Sequence, residues 1–217
     1  MLSDDEFAYL ITLAHERRDV EFKPPGSRRD GYLFAQITRA ALGMANIRGG
    51  GTVIIGVNQE GNTFQPLGVN ADDLVTWSYD EVASRFARYA DPWLDFDLAI
   101  KHHEGKSFVV LQIREFDEIP VLCRDEYQVP AQRSEQSRRS GLPVLRSGAC
   151  YVRSRRKPET IEIPTQTEMR ELLDLATDKG VRRFVERARA AGLDLTGRAT
   201  QGEQTGYARE LHDTEGS

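Results

Sequence analysis

Three charged residues near the start of the chain come closest to forming a site. Glu21 and Lys23 stand two apart in Asp19-Val20-Glu21-Phe22-Lys23. Strand alternation puts them on one face, with Val20 and Phe22 on the other. Glu16 lies just upstream. A carboxylate beside an ammonium on so short a strand fits two readings, a solvated edge or half of a charged groove. Pro24 and Pro25 end the strand under either reading.

A second feature is cationic. Residues 124–157 hold 9 basic and 3 acidic side chains, a net of +6, in a chain whose net charge is −5. Arg153, Arg155, Arg156 and Lys157 fall on and just after the strand "CYVRS", and Arg138, Arg139 and Arg146 precede it. Such a cluster, with Lys23, can track phosphates through counterion release with little sequence discrimination. The plainer reading is a solvated loop in an arginine-rich protein, since 24 of its 29 basic residues are arginine. Tyr127 and Tyr151 could stack on bases or fill a sheet.

Other chemistries find no motif. The glycines of "RGGGTVIIGV" precede a strand, whereas phosphate-binding loops follow a strand and open a helix. Gly49, Gly50, Gly51 and Gly56 are therefore expected to serve turns. None of the four histidines sits in a Ser/His/Asp or Cys/His setting, and Cys123 and Cys150 form no C-x-x-C. An acidic start and the absence of a long apolar run predict a cytoplasmic protein with no membrane partner.

The elements that must position these residues follow from periodicity. Helices are expected over 4–15, 32–48 and 71–90, a strand over 20–23 and a buried strand over 52–57. "NQEGN" reads as a turn and 64–69 as a short edge strand, followed by a hairpin with Gly105 at its tip. Further short strands are expected at 121–124, "CYVRS" and "TIEI". Residues 128–148 read as a long loop. Thr165-x-x-Glu168 is a capping box opening a helix that Gly180 should end, with a second short helix stopped at Gly192. The fold class is thus α+β, a mixed sheet flanked by helices with a C-terminal helical extension. The expected division is a domain over 1–163, a helix pair packed on it over 164–192, and a disordered tail over 193–217. A homodimer through the helix pair is compatible with this pattern.

The ordered set Glu16-x-x-x-x-Glu21-Phe22-Lys23, Asn46-x-x-Gly49-Gly50-Gly51, "TVIIGVNQEGN" and "YVRS" resembles the Schlafen AlbA family over roughly residues 8 to 160. The resemblance implies an α+β domain regarded as DNA-binding, and in some members a metal-dependent RNA endonuclease using two glutamates and an aspartate. Glu16 and Glu21 match the glutamates and would be catalytic and metal-holding. The aspartate should follow "IIGV", where this chain has Asn58 and Gln59, with Glu60 the next acid. A neutral amide brings no charge to magnesium or manganese, so the implied metal site is weakened. The expectation is a regulatory or defence-related protein that binds DNA or RNA through phosphates and needs no cofactor. A metal-dependent endoribonuclease is the alternative, and a protein-interaction module the second.

Overall fold

The computed structural model describes residues 2–13, 15–61, 63–129, 143–163 and 165–193. The chain divides into two units, Met1–Ala176 and Thr177–Ser217. The first is built on a mixed four-stranded sheet of β1 (Val20–Lys23), β2 (Gly51–Ile55), β6 (Phe96–His103) and β7 (Lys106–Ile113), in the order β1-β2-β7-β6. β1 runs parallel to β2, and the other two pairings are antiparallel. This is the α+β mixed sheet expected. No helix among the described residues is long and apolar enough to cross a membrane.

Both faces of the sheet are covered, so its central strands are apolar on both sides. On one face α1 (Asp4–Leu13) lays Phe7, Leu10 and Ile11 over Val20, Phe22, Ile54 and Val110. A capping box starts that helix: Glu6 N–H donates to Ser3 Oγ, and Ser3 N–H donates to the Glu6 carboxylate. On the other face α2 (Gly31–Ala45) packs its long apolar stripe against Val53, Ile55, Val109 and Leu111. Asp30 caps α2 by accepting from Tyr32 N–H and Leu33 N–H. Each such side chain, fully buried, contributes about 1.5–3 kcal/mol.

α2 closes on Asn46, which is buried. Its amide donates to the carbonyls of Val121 (2.7 Å) and Tyr151 (2.9 Å), and its Oδ1 accepts from Val121 N–H (2.8 Å). One side chain thus holds three segments together. The glycine turn behind it runs straight into β2, whose first residue is Gly51. Gly49 and Gly50 take φ of 83° and 69°, and a Cβ on Gly50 would lie 2.1 Å from the Ile113 carbonyl oxygen. Gly56 takes φ of 118°. Gly51 needs no left-handed backbone; there a Cβ would crowd Met44 and the Asp19 carbonyl instead.

Three details differ from the sequence reading. The turn falls at Gly61 (φ 63°), so Val57–Glu60 is strand β3, paired with β4 (Thr63–Pro66). The helix expected over 71–90 is two, α3 (Ala71–Leu74) and α4 (Tyr79–Tyr89). It breaks because the Trp77 indole N–H is drawn onto the Gly26 carbonyl and Thr76 onto Arg28 N–H. β5 (Ala90–Asp91) pairs with β8 (Leu122–Cys123), and β9 (Tyr151–Arg153) pairs with β10 (Thr160–Glu162), on α2's side of the sheet. Finally, Gln166–Ala190 is a single helix, α5, and not a pair. Gly180 keeps a helical backbone inside it, costing only about 1 kcal/mol relative to alanine. The capping pair Thr165 and Glu168 is in contact, and Leu172 and Leu175 join the core of the first unit. In the second unit, Gly192 (φ 80°) stops the helix as expected. The expected tail beyond Leu193 lies outside the described residues.

Replacing Asn46 by alanine leaves three buried backbone groups without their partner. Asn46→Ala is expected to cost about 3 kcal/mol, lowering Tm by roughly 6–12 °C in a calorimetric scan.

Candidate functional site

β1 does what its alternation requires. Val20 and Phe22 are buried beneath α1, while Glu21 and Lys23 face the opposite side. There they line a groove of about 570 Å³ with Glu16, Arg39, Gln59 and Thr160. The groove is polar, but its charges are already engaged. Lys23, 15% exposed, is ion-paired with Glu21, 12% exposed. Arg153 is 0% exposed and is ion-paired with the other oxygen of Glu21.

Arg153 is therefore corrected from a phosphate contact to a buried fastener. Its Nε donates to the Arg18 carbonyl (2.9 Å), its Nη2 to the Arg17 carbonyl (3.1 Å), and its Nη1 to Thr160 Oγ1 (3.2 Å). Arg18 answers in kind: its Nε donates to the Arg153 carbonyl (3.1 Å), and its two Nη groups grip both oxygens of Glu171 (2.8 Å each). A guanidinium presents five donors in a fixed fork, and here that fork is nearly used up.

Glu16 is half-buried and accepts from Phe22 N–H (3.0 Å). Burial, with the Glu21 charge adding to it, raises its pKa above the usual glutamate value. Burial also pushes the thiols of Cys123 and Cys150 up to about 11, which leaves both unreactive near neutral pH.

The groove's donors do not suit a divalent cation. Both oxygens of Glu21 already face a cation, Glu16 spends one oxygen on a backbone amide, and Gln59 is neutral. Magnesium or manganese would have to displace two positive groups and then sit beside them. Asn58 and Glu60 do not line the groove; they lie together on β3, 3.5 Å apart. Among the described residues no three His, Cys, Asp or Glu side chains come together as a metal site.

The remaining predicted cations have separate fates. Arg146 is ion-paired with Glu162. Arg138 and Arg139 lie outside the described residues. Arg156 and Lys157 are exposed on the turn after β9. Arg155, 60% exposed, donates to Glu171 (2.9 Å) from the rim of a second cleft of about 760 Å³. Arg18, Arg48 and Arg170 also line that cleft. The sequence reading missed all three, because each is a lone arginine on a different segment and only the fold collects them. Burial pushes the Glu171 carboxyl upward, but the hydrogen bonds from Arg18 and Arg155 outweigh it and hold its pKa below the usual range.

Two outcomes test this arrangement. Arg153→Met leaves Glu21 buried with half its partners and should cost about 3–5 kcal/mol in urea unfolding. The penalty of the double variant with Glu21→Gln should fall well short of the sum of the single penalties. Glu16 titrates in the opposite sense from a salt-bridged acid. Its raised folded pKa gives full stabilisation below the unfolded value of about 4.5, and this is lost as pH rises through the folded pKa. Glu16→Gln should therefore gain stability over the parent between pH 4.5 and 7, read as a widening Tm difference. A difference that stays constant with pH would show that Glu16 is not desolvated.

Comparison with known proteins places these features. The Schlafen, AlbA_2 family model matches residues 16–162. No curated protein matches the chain. Among solved structures, the chain is similar to the DIP2311 protein of Corynebacterium diphtheriae at 22% identity and a TM-score of 0.37. That match covers 58% of this chain and 25% of that one. It is also similar to the N-terminal domain of a putative ATP-dependent DNA helicase RecG-related protein of Nitrosomonas europaea. There the identity is 21% and the TM-score 0.41, over 54% of this chain and 76% of that one. The chain thus spans about a quarter of the first of these proteins.

Proposed function

Because the chain belongs to the Schlafen AlbA_2 family, we propose that it binds nucleic acid through the phosphate backbone, without a divalent cation and without cutting the strand. One observation carries this reading. Three consecutive cationic side chains, Arg155-Arg156-Lys157, stand exposed on one turn, beside a cleft lined by further arginines. A chain of net charge −5 that keeps several cations together on one surface has an electrostatic footprint for a polyanion. Backbone contacts of this type bind DNA and RNA alike, with little discrimination between sequences.

The groove supports the absence of cleavage. A phosphodiester in transit through a hydrolytic centre needs charge stabilisation from a metal or from uncommitted cations. Lys23 and Arg153 are both committed to Glu21. Arg39 is tied to the carbonyls of Val144 and Thr160, and its guanidinium lies over the Tyr151 ring.

The test is fluorescence anisotropy with labelled single-stranded DNA and RNA at 50 and 200 mM salt. Affinity should fall steeply with salt, and chelator should not change it. Arg156→Glu with Lys157→Glu should weaken binding tenfold or more. It should also flatten the slope of log K against log salt by about 1.4, the share of two lost phosphate contacts on a single strand. Strands incubated with magnesium or manganese should remain intact on a gel. Absence of binding to any DNA or RNA at 50 mM salt would overturn the reading.

A further inference from the structure

The groove under β1 suits neither a divalent cation nor a phosphate, yet part of its polar lining is uncommitted. The cations around it are spent, Lys23 and Arg153 on Glu21, and Arg39 on the carbonyls of Val144 and Thr160. Three other side chains on the lining are not. Glu159, exposed just before β10, has a carboxylate with no hydrogen bond or ion pair among the described residues. The amide of Gln36, on α2, is in the same condition. Glu16 gives one oxygen to Phe22 N–H and has no second partner among the described residues. What the groove keeps in hand is mainly acceptors.

Val144, Pro158 and Ile161 add apolar wall to these groups. A volume of about 570 Å³ falls within the roughly 300–1,000 Å³ of small-ligand sites, which join apolar walls to a few polar groups that fix orientation. The position of the groove narrows the ligand further. Pro158 and Glu159 follow directly on Arg156 and Lys157, so the groove opens where the exposed cationic turn ends. A strand whose phosphates lie on that turn has its bases within reach of the groove.

We infer that the groove takes one unpaired guanine of the bound strand, with Glu159 as the residue that selects it. A nucleobase is neutral and flat, and in a single strand its Watson–Crick edge is free to be read. Guanine alone among the common bases presents two adjacent donor groups on that edge, N1–H and the 2-amino group, which one carboxylate accepts in parallel. Adenine and cytosine offer one amino group there, and thymine and uracil one imide N–H. The acceptors on the edges of cytosine, thymine and uracil would need donors that the groove has already spent. The Gln36 amide carries a donor as well as an acceptor and can meet the single carbonyl of guanine. The inference rests on the nucleic-acid reading above and adds a base preference at one position to backbone contacts that carry none.

The experiment compares labelled oligothymidine with strands of equal length carrying one central guanine, hypoxanthine, adenine or cytosine, at fixed salt, with guanosine as a competitor. The guanine strand should bind about tenfold tighter than oligothymidine, the discrimination of one bidentate pair. Hypoxanthine, which lacks the 2-amino group, should lose most of that gain. Glu159→Gln puts an amide donor in place of one acceptor at an exposed position. It should remove the guanine preference, while oligothymidine binds at least as tightly as before because a negative charge has gone. Arg156→Glu with Lys157→Glu should instead weaken every strand alike. Equal affinity for all the strands overturns the guanine site and leaves the nucleic-acid reading standing. Tighter binding of another base, or a guanine preference that survives Glu159→Gln, overturns it too. Guanosine binding as tightly as the guanine strand overturns the strand base in favour of a free nucleoside. Failure of every strand to bind overturns both readings.

Discussion

Arg153 is a full positive charge with no exposure to water, and the first unit is arranged around satisfying it. A buried guanidinium costs several kcal/mol unless its donors all meet acceptors. The acceptors come from the carbonyls of Arg17 and Arg18, the carboxylate of Glu21 and the hydroxyl of Thr160. These groups belong to the turn before β1, to β1 itself and to β10. None of the three can move away without stranding a charge in the interior. The docking of the β9–β10 pair beside β1 therefore depends on a polar contact. Arg18 extends the same device outward, exchanging Nε-to-carbonyl hydrogen bonds with Arg153 and then gripping Glu171 on α5. The groove and the cleft are two sides of one fastening.

That fastening explains which parts of the structure were legible from sequence. The Val20 and Phe22 face of β1 and the glycine turn were readable, because each rests on a local rule: strand period or left-handed backbone. The groove was readable too, since Glu21 and Lys23 alternate out of step with the apolar pair. Arg153 was not. An arginine in a run of arginines has the same local signature whether it faces water or an opposing glutamate. Its partner is 132 positions away. Asn46 has the same character: its place in the motif was visible, yet its three partners lie on segments that only the fold brings near.

The local errors have local causes of a different kind. Gly180 looked like a helix stop, but a glycine ends a helix reliably only where the backbone turns left-handed, as Gly192 does. The break between α3 and α4 hides in a continuous amphipathic pattern, because the competing interactions are hydrogen bonds that Trp77 and Thr76 make with the distant Gly26 and Arg28. The β3–β4 hairpin was read one step short. That step matters for the site, since it places Asn58, Gln59 and Glu60 on a strand, where alternation sends Gln59 into the groove and leaves Asn58 beside Glu60.

Charge pairing decides where a polyanion can land on this protein. Much of its arginine is consumed internally: Arg114 by Asp95 and Asp97, Arg88 by Asp125, Arg28 by Glu81, and Arg146 by Glu162. Exposed pairs of this sort add little stability, at most about 1 kcal/mol each, but they do cancel local fields. Across such surfaces a strand finds little net potential within a Debye length of about 8–10 Å. Binding then falls to the places where pairing is incomplete by construction. One such place is the turn at 155–157, where Arg156 and Lys157 stand exposed side by side. The groove under β1 holds the family's matching glutamates, yet its charges answer one another. A phosphate entering there would have to break the Glu21 pairs, one of which ties β1 to β9, whereas one landing on the 155–157 turn meets the exposed cations Arg156 and Lys157.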